Sequence, residues 1–184
     1  MGISLVKGQK ISLAKESGGS LSKVTMGLGW DPVKAGSSID LDASCVMFNE
    51  QKQPLDLVYF GQLQSKDGSI KHTGDNLTGE GEGDDEQIIV NLNSVHQNVK
   101  YLVFTVNSYR GQSFNEVSNA FCRLVDSSSD KEIARYTLSG GGNHTGMIMA
   151  KLYRHQNEWK MHAMGEPSQG QTAKELVPEI VKFL

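Results

Sequence analysis

Residues 38–48, SIDLDASCVMF, constrain the fold more than any other stretch of the chain. Ile39, Leu41, Ala43, Cys45 and Met47 share one parity, while Asp40, Asp42, Ser44, Val46 and Phe48 share the other. Side chains alternate faces along a strand, so this pattern reads as a strand with an apolar inner face. Its outer face starts acidic and turns apolar.

Short segments of this kind recur along the chain. ISLVKGQKISL (3–13) reads as two short strands about Gly8, followed by an exposed Ser/Gly/Lys loop, and VTMGLGWDP (24–32) as a strand stopping at Trp30-Asp31-Pro32. LDLVYFGQLQ (55–64) and SIKH (69–72) flank Lys66-Asp67-Gly68 as the arms of a hairpin. EQIIVNLNSV (86–95) and KYLVFTVNSY (100–109) are rich in strand formers, and GQSFNEVSN (111–119) suits a loop or one helical turn. AFCRLVD, EIARYTL, GMIMAKLYRH and EWKMHAMGE then read as a four-strand meander. Only the tail predicts a helix: Thr172 and Glu175 have capping-box spacing, and Pro178 is expected to break or restart it. The expectation is one mainly β domain over 1–184, a β-sandwich of about ten short strands with a short C-terminal helix. Twenty glycines against four prolines fit so many turns.

The net charge of −3 is concentrated in one place. Residues 75–86, DNLTGEGEGDDE, hold six acids and no Lys or Arg, so the loop carries −6 and the rest of the chain +3. Calcium takes six to eight oxygen ligands. Asp75, Asn76, Asp84, Asp85 and Glu86 offer side-chain oxygens, and Gly79, Gly81 and Gly83 let the backbone turn carbonyls inward. The twelve-residue span mimics an EF-hand, but Leu77 and Gly79 stand where that motif needs ligands and Glu80 where it needs Gly. Asp40 and Asp42, two apart on one strand face, are the expected co-ligands, with Asp31 and Glu116 as further additions. The alternative is a solvated acidic run.

These residues carry a family resemblance. LGWDP at 28–32, DLDASCVMF at 40–48, HTGDNLTGEGEGDDE at 72–86 and LYRHQNEWKMHAMGE at 152–166 resemble, in order and over nearly the whole chain, the TerD family of tellurite-resistance and stress proteins. The resemblance implies a β-sandwich binding calcium, two ions, through acidic loops gathered at one end. It carries the calcium role onto Asp31, Asp40, Asp42, Asp75, Asn76, Asp84, Asp85 and Glu86, with carbonyls of Gly79, Gly81 or Gly83 as partners. It also implies association with other tellurium-resistance proteins and brings no enzymatic activity with it.

Other chemistries find less support. The five histidines show no zinc-hydrolase spacing and read as surface residues. Cys45 and Cys122 match no metal or redox spacing, read as buried and inert, and suit a reducing cytoplasm. No basic stripe with interleaved aromatics points to nucleic acid, and no apolar run is long enough for a membrane span. The expected function is a non-catalytic, calcium-dependent binding module for partner proteins. The alternatives are an enzyme modifying tellurite or a related oxyanion around structural calcium, and a lectin-like module using Trp30 or Trp159.

Overall fold

The computed structural model describes residues 2–19, 21–33, 38–75, 83–138 and 142–184. Among these, twelve strands form two six-stranded sheets. The first sheet contains β1 (Ile3–Ser4), β3 (Lys23–Pro32), β6 (Ile70–His72), β7 (Glu86–Asn91), β9 (Val117–Asp126) and β10 (Lys131–Thr137), in the order β1-β10-β9-β3-β7-β6. The second contains β2 (Lys10–Ser12), β4 (Leu41–Phe48), β5 (Pro54–Val58), β8 (Tyr101–Ser108), β11 (Gly146–His155) and β12 (Glu158–Ser168), in the order β2-β12-β11-β8-β4-β5. The β1–β10 pair is parallel, and the other described ladders are antiparallel.

The sandwich follows from the alternation. Val24, Met26, Leu28 and Trp30 of β3 face Leu41, Ala43, Cys45 and Met47 of β4 across one continuous core. The other face of β4 is buried as well. Val46 and Phe48, with Val103, Ile148 and Met164, lie beneath Ala173, Leu176 and Ile180 of the C-terminal helix α2 (Ala173–Ile180). That cover explains why the outer face of β4 turns apolar along its length.

Four local expectations are corrected. Leu13–Ser17 forms a one-turn helix, α1, inside the stretch read as loop, and it ends at Gly18 in the left-handed conformation (φ 76°). The turn at 65–70 closes as expected, with Gly68 N–H donating to the Ser65 carbonyl and the Gln64–Lys71 bridge pairing the near ends of its arms, but the first arm divides: its start, β5, joins the second sheet, while β6 belongs to the first. The second half is two hairpins in opposite sheets, β9–β10 and β11–β12, because the chain changes sheet between β10 and β11. Pro178 lies inside α2 without breaking it, and the helix tightens into a 3-10 turn only at Val181–Phe183. A proline removes a single backbone donor, which the apolar seat of Leu176 and Ile180 outweighs here.

The tail is tied down by Lys151, whose Nζ donates to the Phe183 carbonyl at 2.6 Å. Burial holds its ammonium below the usual lysine range. Leu176 is 1% exposed. Leu176→Ala is expected to cost about 2–4 kcal/mol in urea unfolding, whereas Val6→Ala, at a position 66% exposed, should change stability by less than about 0.5 kcal/mol.

Candidate functional site

The acidic loop springs from the β6–β7 hairpin, and its base is held by a buried histidine and a buried glutamate. His72 Nδ1 accepts the Gly74 N–H at 3.0 Å, so the neutral ring carries its proton on Nε2. That Nε2 lies 3.2 Å from the Ala43 carbonyl and 3.3 Å from Glu86 Oε2. Glu86 Oε2 in turn accepts the Ala43 N–H at 2.7 Å. Ala43 is in the second sheet, and β5 pairs with β4 only from Cys45 onward. Two side chains of the first sheet thus occupy the backbone groups that a neighbouring strand would otherwise take. His72 and His144 are both buried, which corrects their reading as surface residues.

The three adjacent acids fan out in three directions. Asp84 lies on the outer face of the first sheet, where Arg123 Nε and Nη2 donate to it at 2.7 and 3.0 Å and Gln87 Nε2 at 3.0 Å. Gln87, Gly27 and Arg123 are cross-strand partners in one row, and a Cβ on Gly27 would meet the Asp84 carboxylate at 2.3 Å. Glycine at 27 is therefore what lets the carboxylate lie flat on β3. Asp85 Oδ2 accepts the Trp30 N–H at 2.9 Å. Trp30 stands beside a register shift between β3 and β9, where Asn119 adopts φ 51°. Glu86 points inward, as described. Asp84 is thus committed to Arg123, a division of labour that adjacency on the chain left open.

At the start of β4 the loop meets the second sheet. One carboxylate oxygen from each of Asp40, Asp42 and Asp75 lies within 4.8 Å of the others. Asp40 and Asp42 are buried, while Asp75 is exposed at the loop's entrance. Asp40 Oδ2 is 3.5 Å from Arg110 Nε, but Asp40 Oδ1 and Asp42 Oδ2 have no hydrogen-bond partner among the described residues. Burial, joined by the charges of Glu86, Asp40 and Asp75, pushes the Asp42 carboxyl up to about 8. Three convergent carboxylates with two orphaned buried oxygens fit a hard divalent cation, and the all-oxygen donor set suits calcium, magnesium or manganese chemistry.

The remaining candidates divide. Asp31 does not join this cluster: its Oδ2 accepts from Asn119 Nδ2 at 2.9 Å, and it lines a second recess with Trp30, Gly83, Asp85 and Asn119. Burial is the first cause that raises the Asp85 carboxyl, with Asp31 and Asp84 adding to it. Glu116 is exposed in the 3-10 turn Phe114–Glu116. Gly83 takes φ 97°, and Asn76, Gly79 and Gly81 lie outside the described residues. Sequence reasoning missed Gly27, His72 and Arg123. The signal for Gly27 was its place in a strand, where glycine marks close approach of another group. Both thiols are fully buried, which pushes Cys45 up and Cys122 up to about 12.

Side-chain exposure at Asp84 is 1%, so loss of its partner would strand a buried charge. Arg123→Met is expected to cost about 3–5 kcal/mol in denaturant unfolding. Adding Asp84→Asn to Arg123→Met should recover most of that loss, giving a coupling well above experimental error in a double-mutant cycle.

A family model described as the TerD domain matches residues 1–178. The chain is 49% identical to tellurium resistance protein TerZ of Serratia marcescens, covering 97% of each chain. It is 42% identical to stress response protein SCP2 of Bacillus subtilis (strain 168), covering 98% of this chain and 100% of that one. A solved structure of a homologue of telluride resistance protein (TerD) from Streptomyces coelicolor A3(2) superposes with TM-score 0.75 at 19% identity, over 88% of this chain and 98% of that one, a likeness of fold. The model match and these identities place the chain in the TerD family of tellurium-resistance and stress-response proteins.

Proposed function

We propose that this protein is a non-catalytic calcium-binding module of the cytoplasmic tellurium-resistance and stress response, which presents a metal-ordered surface to other tellurium-resistance proteins. The observation that carries the reading is the convergence of Asp40, Asp42 and Asp75, with one buried oxygen each of Asp40 and Asp42 lacking a hydrogen-bond partner among the described residues. Like charges held so close in a buried setting repel one another, and a divalent cation offsets that repulsion. Irregular oxygen coordination from a glycine-rich loop suits calcium better than octahedral magnesium. The Asp31–Asp85 recess is the candidate seat of a second ion.

The rival enzymatic reading draws little from the thiols, since a buried thiol with a raised pKa is a poor nucleophile. Purified protein is expected to reduce no tellurite, and Cys45→Ser or Cys122→Ser should leave that result unchanged. Thiol-dependent turnover would favour an enzyme, and calcium-dependent retention on a glycan array would favour a lectin.

Calorimetric titration of metal-stripped protein should show calcium binding in preference to magnesium. Saturation at a hundredfold excess over Kd should add about 2.7 kcal/mol per site to stability. Asp75→Ala is expected to lose at least one ion, and Lys100→Ala none. A melting temperature unmoved by millimolar calcium would sink the proposal.

A further inference from the structure

Strand pairing gathers a basic patch on the part of the second sheet's outer face that α2 leaves open. Val103 of β8 lies beneath α2, on that outer face. Its row continues through Lys151 of β11 and His162 of β12 to Lys10 of β2, each directly opposite the one before. Residues opposite each other on neighbouring strands share a face, so these three side chains stand beyond the helix on the same side. The adjoining row, two residues along each strand, holds Tyr101, Tyr153, Lys160 and Ser12. With strands about 4.8 Å apart, the backbones of Lys10 and Lys151 lie within about 10 Å of each other. No basic run in the sequence marks the patch, because Lys10 comes to it from the opposite end of the chain.

The chain does not neutralise these charges. Among the described residues, Lys10, Lys151 and Lys160 have no carboxylate within ion-pair distance. The Lys151 ammonium donates to the Phe183 carbonyl and lies 5.6 and 5.8 Å from the Tyr101 and Tyr153 ring centroids, contacts that hold it in place without cancelling its charge. Burial is the first cause that lowers it, and the charges of Lys10 and Lys52 add to that. Burial also lowers His162, joined by Lys151 and Lys10 and opposed by Glu166. The His162 Nδ1 is buried without a hydrogen-bond partner among the described residues. Like charges crowded in this way, with two groups driven toward their neutral forms, make a surface short of an anion.

The borders of the patch select the anion. Glu158 closes one end of the β12 face, accepting from Ser12 Oγ, and Glu166 closes the other, paired with Lys7 at 2.9 Å. The helix α2 and its tail close one side. A membrane surface or a long phosphate backbone would run past both ends onto these carboxylates. A short extended segment would not, since Glu158 to Glu166 spans about 25 Å at about 3.3 Å per residue.

We infer that this face docks a short acidic segment of a partner protein, whose carboxylates meet Lys10, Lys151 and Lys160. The surface is separate from the Asp40, Asp42 and Asp75 cluster, and the inference does not rest on the calcium reading.

A fluorescein-labelled hexaglutamate peptide is the probe, titrated with full-length protein and followed by anisotropy. At about 20 mM salt, saturable binding with a Kd below about 1 mM is expected, and about 200 mM salt should weaken it about tenfold or more. Lys10→Glu, at an exposed position, should weaken binding about threefold or more, and Lys10→Glu with Lys160→Glu about tenfold or more. Lys23→Glu makes the same charge change at an exposed position of the first sheet and should alter affinity by less than about twofold. Melting temperatures taken alongside identify any variant that fails to fold, in which case the exposed Lys10→Glu carries the test. Absence of binding at low salt, or equal weakening by Lys23→Glu and Lys10→Glu, overturns the inference. Tighter binding of phosphatidylserine vesicles or a single-stranded oligonucleotide than of hexaglutamate assigns the face to another polyanion and overturns it as well.

Discussion

The structure hangs on the contact at which Glu86 and His72 of the first sheet reach the backbone N–H and C=O of Ala43 in the second. Two sheets packed through apolar side chains are held by a non-directional force, free to slide by small amounts. Hydrogen bonds of 2.7 and 3.2 Å to the N–H and C=O of one residue remove that freedom at the end of the sandwich where the loop emerges. The same imidazole accepts from Gly74, where the chain leaves β6, and Glu86 opens β7, where it returns. Sheet registration and loop placement are therefore one problem with one solution. A fully buried carboxylate is costly unless its lone pairs are used, and here the backbone of a neighbouring sheet uses them.

From this fixed base the acidic residues acquire different tasks. Asp84 is spent on Arg123 across the glycine row of β3, and Asp85 on the Trp30 amide beside the register shift. Among the described residues of the loop, Asp75, on the entering limb, is the one that meets Asp40 and Asp42 within ligand distance. Any ion held there bridges both sheets, so its binding energy acts on the sandwich as well as on the loop.

Much of this was legible in the sequence, and the failures are specific. Alternation placed the strands because burial of one face imposes a period of two, and it marked Asp40 and Asp42 on the face that proved to hold the cluster. Alternation says nothing about which sheet a strand joins. The first arm of the 65–70 turn split, its end bridged to β6 and its start in the other sheet, and the supposed meander divided between sheets, because long-range pairing decides membership. His72 was invisible because a histidine serving two backbone groups and a glutamate shows no ligand spacing. Arg123 was read only as a neighbour of Cys122. Its partner lies 39 residues away in sequence, joined through a glycine whose missing side chain is the only local trace.

The N-terminal dozen residues have a wider consequence. β1 lies along β10 and β2 along β12, so one short segment seals an outer margin of each sheet. Both partners are synthesised more than a hundred residues later. During translation the segment must therefore wait, unpaired, first for β10 and then for β12. Until the segment docks, β10 and β12 present bare strand margins of the kind that recruit other chains, and β1 and β2 act as a guard against that encounter.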